Sequence, residues 1–412
     1  MTYFPYKVRR ARPEERKSIL KFAIEGVQKD WKAPVRQLIS ECPAYKPRHS
    51  LLVLLGGKIV GQTMFIPAWT RIAGVKMRTG RIHWVGVDKE HRRKGIGKIM
   101  MRWWSDHMDS HRFDLAWVIG IPNYYERFGY YYALPGSSPG RAPLVSIKTE
   151  LAARALTAHK VRNMRSGDME DMRKLFNRAY RFNSGELIYD AALWRYMVKG
   201  LRKKGENWIV SVDRKDSISG FGKLCEREGG IALSNAAAKF RAASSLLRYM
   251  SRAAAKNRAD AVDLLVPQDH AIAQAAYELG GEFRCPYETY PGSQSGMVRI
   301  ANPLSVLKKL SGVLSHRVEE SRLKYADREL SFSLRNQRVA VGVKSGKVTV
   351  RKAPLGALEP LNLSEEMWTQ ILVGYRDIRY FVERDLVDLK QKDVEFLTAL
   401  FPRMNPFLCP SF

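Results

Sequence analysis

Two successive mixed sheets flanked by helices, followed by a smaller α+β unit, are the fold class this sequence predicts. Three observations carry it. A strand runs into a basic, glycine-punctuated turn that opens a helix at residues 82–98. The strand and helix layout around that turn recurs in the middle of the chain. And 412 residues, 45% of them hydrophobic, exceed what one core usually serves.

The first unit, residues 1–150, follows from pattern. Residues 6–11 alternate as a strand, and Pro13-Glu14-Glu15 opens an amphipathic helix to about residue 29. Residues 50–55 and 58–69 read as a hairpin across Gly56-Gly57. The strand at 81–87 then meets His91-Arg92-Arg93-Lys94-Gly95-Ile96-Gly97, and a helix follows from Lys98 to Met108. A helix N-terminus gathers unsatisfied N–H groups and a positive dipole end, and glycines let a bulky anion approach the backbone. Arg92, Arg93 and Lys94 add charge at the rim, so the turn suits a pyrophosphate. No Lys-Ser or Lys-Thr follows the second glycine, which excludes a Walker-type loop. The third glycine of the Rossmann fingerprint is also missing. A buried strand at 113–121 and a short helix at 122–130, closed by Gly129, complete the unit.

The second unit, residues 151–296, repeats the layout. Strands are expected at 157–164, 208–212, 218–224, 231–235 and 261–266, and helices from after Gly167-Asp168 to about 182, at 240–255 and at 269–279. Where the first unit has its glycine turn, this one reads Ser234-Asn235-Ala236-Ala237-Ala238-Lys239-Phe240. Bulkier residues there block a pyrophosphate, so the copy is read as degenerate and without cofactor. The third unit, residues 297–412, opens with a strand at 297–300. It continues with helices at 303–314, 364–372 and 392–400 and strands at 329–334, 338–343 and 347–351.

Two motifs in order resemble the GNAT (Gcn5-related) N-acetyltransferase superfamily. Val85, Val87, Arg92, Gly95 and Gly97 match its acetyl-CoA loop, Arg/Gln-x-x-Gly-x-Gly/Ala after a Val-x-Val strand. Asn123, Tyr125, Gly129 and Tyr130 match its later Asn and Tyr-x-x-x-Gly-Phe/Tyr motif. A GNAT unit with the turn, a second without it and a small α+β tail together resemble the Eis (enhanced intracellular survival) acetyltransferase family over essentially the whole chain. That resemblance implies tandem GNAT folds followed by a sterol-carrier-protein-like domain whose C-terminal carboxylate returns to the active site. It implies acetyl-CoA as acetyl donor, held by Val85, Val87, Arg92, Arg93, Lys94, Gly95, Gly97 and Asn123. It further implies a cytoplasmic homo-oligomer, a hexamer in that family, and direct attack of an amine on the thioester.

For that chemistry a phenol with a pKa near 10 keeps its proton at neutral pH and can serve a departing thiolate. Tyr125 is the candidate general acid, with Tyr124 beside it in a packing role. The resemblance points to the Phe412 carboxylate as base. His83, read by strand alternation as sharing a face with Val85 and Val87, is its rival. A backbone N–H of residues 85–87 is the candidate oxyanion donor, with Gly86 permitting the strand to splay. The acceptor amine is open: Pro410 and Ser411 bring no acid to the site, and Glu25, Asp30 and Glu41 are the nearby carboxylates. Trp31, Trp69 and Trp84 either line an aromatic pocket or pack in the core.

The formal net charge is +29, and residues 1–150 carry 27 Lys and Arg against 12 Asp and Glu. Such a surface steers anions, CoA among them, and also nucleic acid. The alternative function is therefore a basic nucleic-acid- or ribosome-binding protein with a vestigial acetyltransferase site, and a lipid carrier through the third unit is a further one. The four cysteines are isolated, so no metal site is expected and a reducing cytoplasm is. No apolar run reaches the roughly 18 residues of a membrane span, and the N-terminus lacks a secretory core segment.

Overall fold

The computed structural model describes residues 2–3, 5–26, 29–121, 123–135, 144–200, 206–227, 230–284, 295–335, 337–354, 356 and 358–408. Strands β1 to β7 are Thr2–Tyr3, Tyr6–Arg10, Ser50–Leu55, Lys58–Ile72, Val75–Val87, Leu115–Gly120 and Tyr131–Leu134. Strands β8 to β14 are Leu144–Lys148, Lys160–Asn163, Glu206–Val212, Ile218–Arg227, Gly230–Ala238, Ala261–Leu264 and Glu282–Arg284. Strands β15 to β19 are Ser295–Ile300, Arg328–Leu334, Gln337–Lys344, Lys347–Lys352 and Pro360–Leu361. Helices α1 to α6 are Arg16–Gly26, Lys29–Glu41, Ile96–Ser110, Thr149–Ala152, Met169–Ala179 and Ala191–Lys199. Helices α7 to α12 are Phe240–Lys256, Ala271–Tyr277, Pro303–Glu319, Glu365–Val373, Ile378–Val382 and Gln391–Leu400.

Three sheets result. The first runs β1-β2-β3-β4-β5-β6-β15-β7, and β5 and β6 are its parallel pair. The second runs β14-β8-β13-β12-β11-β10-β9 and has the same mixed character, with β12 and β13 parallel. The third is a four-stranded sheet, β18-β17-β16-β19. Two mixed sheets flanked by helices, one after the other, are what the sequence predicts.

The chain crosses between the sheets at both ends of its middle segment. β8 pairs in the second sheet with β13 and β14. The strand at 297–300, expected to open the third unit, is instead part of β15 and lies between β6 and β7 of the first sheet. An apolar strand looks alike whichever neighbours it joins, so its sequence carried no such information. The helix expected at 13–29 is the shorter α1, followed by an unforeseen α2 that contains Pro34. The hairpin of β4 and β5 also runs far beyond the expected strands, to a turn at Ala73-Gly74 with φ of 48° and 84°. Its extension is held from outside: the Gly185 and Ile188 N–H groups donate to the Arg71 and Trp69 carbonyls at 2.9 and 2.8 Å.

On one face of the first sheet α3 buries Ile96, Met100, Met101, Trp104 and Met108, at the i, i+4 spacing of a packed stripe. The Trp104 ring stacks on Phe65 of β4 at 4.7 Å. The third unit is locked to this sheet through the buried Asp114. Its carboxylate accepts from the Arg78 N–H at 2.6 Å, the Ser305 hydroxyl at 2.7 Å and the Lys309 ammonium at 2.5 Å.

Candidate active site: a splayed strand pair beside a glycine turn

β5 and β6 pair from Thr79↔Leu115 to Ile82↔Val118, and there the ladder stops. Both strands continue, β5 to Val87 and β6 to Gly120, so a wedge opens between their C-terminal ends. The cause is a β-bulge in β5. Val85 pairs with Thr63 and His83 with Met64, which leaves Trp84 as the extra residue, at a φ of 44°. An indole in the left-handed region is strained, and close packing holds it. A Cβ on Gly86 would meet the Trp84 ring at 2.8 Å, and one on Gly26 would meet it at 3.0 Å.

The bulge overturns one expectation. Partners across a ladder share a face, and the consecutive residues Thr63 and Met64 point to opposite faces. Val85 therefore faces α3, while His83 faces the other side of the sheet, where Met64 is buried. Burial, reinforced by the Arg81 guanidinium, holds the His83 pKa well below its ordinary value, so the ring is neutral.

At the end of β5 the Asp88 carboxylate accepts from the Glu90 N–H and pairs with the His91 ring, both at 3.0 Å. Next come Arg92, Arg93, Lys94 and Gly95, all exposed. Among the described residues none of these three cations forms an ion pair. Arg93 has a φ of 63° and Gly95 one of 81°, where Gly95 is the residue preceding α3. The turn opens α3, whose first N–H groups have no partner within the helix. Exposed Ile119 and Ile121 give the far wall an apolar edge, and a Cβ on Gly120 would lie 2.9 Å from the Tyr125 ring.

Tyr125 is buried against this wall, and desolvation raises its pKa above the ordinary 10, so it keeps its proton. Asn123 is exposed at a φ of 62°. Its N–H donates to Glu126 at 3.1 Å, and its carbonyl accepts from Arg127 at 2.9 Å. Tyr124 packs on the core beside Tyr125, as the sequence reading has it, and its hydroxyl also reaches α3, where a Cβ on Gly97 would overlap it. The described part of the tail runs along residues 183–185 to the end of β7. Asn405 accepts at its carbonyl from Asn183 and at its side chain from Gln268, at 3.2 and 2.6 Å. The Leu408 N–H donates to the Pro135 carbonyl at 3.3 Å, immediately beyond β7. Phe412 lies outside the described residues.

Residues 7–133, which contain both the glycine turn and the wedge, match the model of the acetyltransferase (GNAT) domain. This chain carries a GNAT acetyltransferase domain. The full-length arrangement is shared with solved structures. A GCN5-related N-acetyltransferase from Anabaena variabilis superposes with a TM-score of 0.74 at 14% identity, over 98% of this chain and 99% of that one. Eis1 from Mycobacterium abscessus gives 0.69 at 14% identity, over 98% and 99%. A GCN5-related N-acetyltransferase from Kribbella flavida gives 0.68 at 14%, over 98% and 97%. At such identities the likeness is one of fold. No curated protein matches the sequence.

The second sheet keeps the bulge of the GNAT domain without its turn. Asn235 in β12 has a φ of 47°, and one residue, Lys239, separates β12 from α7. Tyr180 covers this bulge, its hydroxyl donating to the Ala236 carbonyl at 3.0 Å. Among the described residues no three His, Cys, Asp or Glu side chains are grouped to hold a metal, and no helix is long and apolar enough to cross a membrane.

Proposed function

We propose that the protein is an acetyl-CoA-dependent N-acetyltransferase acting on a primary amine, with the first sheet as its only donor site. The observation that carries this reading is the wedge between β5 and β6, flanked by the open turn at 92–97 on one side and by Tyr125 on the other. The residues fit the donor. Gly95 supplies a left-handed turn that a side chain resists, and the turn's cations are exposed and form no ion pair among the described residues. Arg92, Arg93, Lys94, Gly95 and Gly97 would hold the diphosphate, and Val85, Val87 and Asn123 the pantetheine arm. Acetyl-CoA supplies an activated thioester when bound.

The acceptor nitrogen forms the new C–N bond as the C–S bond breaks. The proton it loses passes to a base, which we assign to the Phe412 carboxylate. Tyr125 Oη gives its own proton to the leaving sulfur. Burial raises the Tyr125 pKa, so the phenol holds its proton until charge develops on the leaving sulfur. A backbone N–H of residues 85–87 stabilises the developing oxyanion. His83 is not the base in this reading, since the bulge turns it to the face away from Val85. The second unit serves as a silent partner, and the third, read as sterol-carrier-protein-like, brings in the C-terminus. The assembly is read as a homo-oligomer.

The test is acetyl-CoA-dependent thiol release over a panel of aminoglycosides, polyamines, arylamines and lysine peptides. Release with one class names the acceptor. Silence across the panel, with no acetyl-CoA binding, removes the enzyme reading.

A further inference from the structure

The two glycines of the turn are required for different reasons. Gly95 has a φ of 81° and nothing within 4 Å of a built Cβ, so only its backbone conformation calls for glycine. Gly97 is the reverse. It lies inside α3 and is not among the positive-φ residues, so an L side chain is conformationally acceptable there. What a Cβ at Gly97 would strike is the Tyr124 hydroxyl, with the ring carbon bearing it at 3.5 Å. Small size at this position is thus demanded by a tyrosine of the same chain.

That tyrosine is firmly placed. Its ring meets Tyr125 edge to face at 4.9 Å and Phe128 at 5.7 Å, and the Arg127 guanidinium stacks over it at 5.1 Å. Burial keeps the phenol protonated. Among the described residues no protein group accepts its proton. The hydroxyl therefore stands against the first turn of α3, whose N–H groups lack intrahelical partners, and a guanidinium lies over its ring.

We propose that Tyr124 and Arg127 form a second wall of the diphosphate site, with Tyr124 Oη donating a hydrogen bond to a diphosphate oxygen and Gly97 kept small to seat that hydroxyl. The inference rests on the reading of the turn as the acetyl-CoA site. It adds a donor and a cation from the segment that also carries Tyr125, so occupancy of the diphosphate site is mechanically tied to the catalytic tyrosine.

Calorimetric titration with acetyl-CoA tests it in full-length wild type, Tyr124→Phe, Gly97→Ala and the double variant, with thermal unfolding of each as a fold check. Loss of one hydrogen bond to a charged group predicts about a 10-fold weaker Kd for Tyr124→Phe, seen in KM more than in kcat. With S-acetylpantetheine, which lacks the diphosphate, the wild-type to Tyr124→Phe ratio of kcat/KM is smaller than with acetyl-CoA, and an equal ratio overturns the proposal. Gly97→Ala loses affinity more severely, and adding Tyr124→Phe recovers it to the level of Tyr124→Phe alone. A Tyr124→Phe protein that binds acetyl-CoA like wild type overturns the proposal, and so does a double variant weaker than either single one. Wild type that fails to bind acetyl-CoA overturns the functional reading as well, which separates the two failures.

Discussion

Burial acts on Tyr125 and His83 in opposite directions and leaves both neutral. It lifts the phenol above its usual 10 and drops the imidazole well below 6.5. The rate should therefore rise with pH as the acceptor amine deprotonates, with no falling limb from Tyr125 below about pH 10. His83→Gln should leave the pH profile of kcat/KM unmoved between pH 5 and 8. A lost acid limb in that variant would reinstate His83 as the base. Tyr125→Phe should lower kcat about 100-fold or more, the usual scale of general acid catalysis, with the Kd of acetyl-CoA within about twofold. An unchanged kcat would remove Tyr125 from the chemistry. The glycine turn, Arg92 and Tyr125 stand out in the sequence as candidates because each belongs to a short motif with fixed spacing, and the structure has Gly95 in the left-handed conformation such a turn needs. The orientation of His83 was not, because strand alternation holds only until a bulge inserts a residue, and nothing local announces that Trp84 takes a left-handed conformation. The seat of Tyr124 on Gly97 was hidden for a related reason, since it joins residues far apart in sequence.

Among the elements, α3 and the strands beneath it carry a pH liability. His107 of α3 and His49 before β3 are both lowered to about 4, mainly by desolvation. Nearby cations add to this, Arg10, His111 and Arg78 for His107 and Arg48 and Arg10 for His49. An unfolded histidine titrates near 6.5, so as pH falls the unfolded state takes up protons first. Stability is then lost between about pH 6.5 and 4, on the order of 2 kcal/mol for each ring. Urea midpoints measured from pH 7 to 4 should fall, and His49→Gln/His107→Gln should flatten the slope. An equal slope in the double variant would contradict the assignment. Most elements could be read from periodicity and turn residues: β3, β10, β11, α5, α7 and the core of α3 stand close to where pattern put them. α2 was missed because Pro34 interrupts its pattern, and the outer half of the β4–β5 hairpin because its partners come from residues 184–188.

Across the whole molecule, one buried apolar cluster runs through all three sheets, and buried polar contacts between residues far apart in sequence add to it. Asp114 anchors α9 to the first sheet through Ser305 and Lys309, so Asp114→Ala orphans an N–H, a hydroxyl and an ammonium. It should cost about 2–4 kcal/mol in thermal or urea unfolding. A change under about 0.5 kcal/mol would mean that apolar packing alone joins these parts. That such a chain has two mixed sheets and a small third was legible from its repeat, whereas the insertion of β15 between β6 and β7 depends on pairing choices no local residue records.

The central claim is that the splayed pair in the first sheet, and not its counterpart in the second, receives acetyl-CoA. Hydrogen exchange of the full-length protein with and without acetyl-CoA tests it most directly. Protection confined to residues 85–97 and 119–130 is the predicted result. Protection at residues 234–241 of the second sheet, or at neither place, would contradict the account.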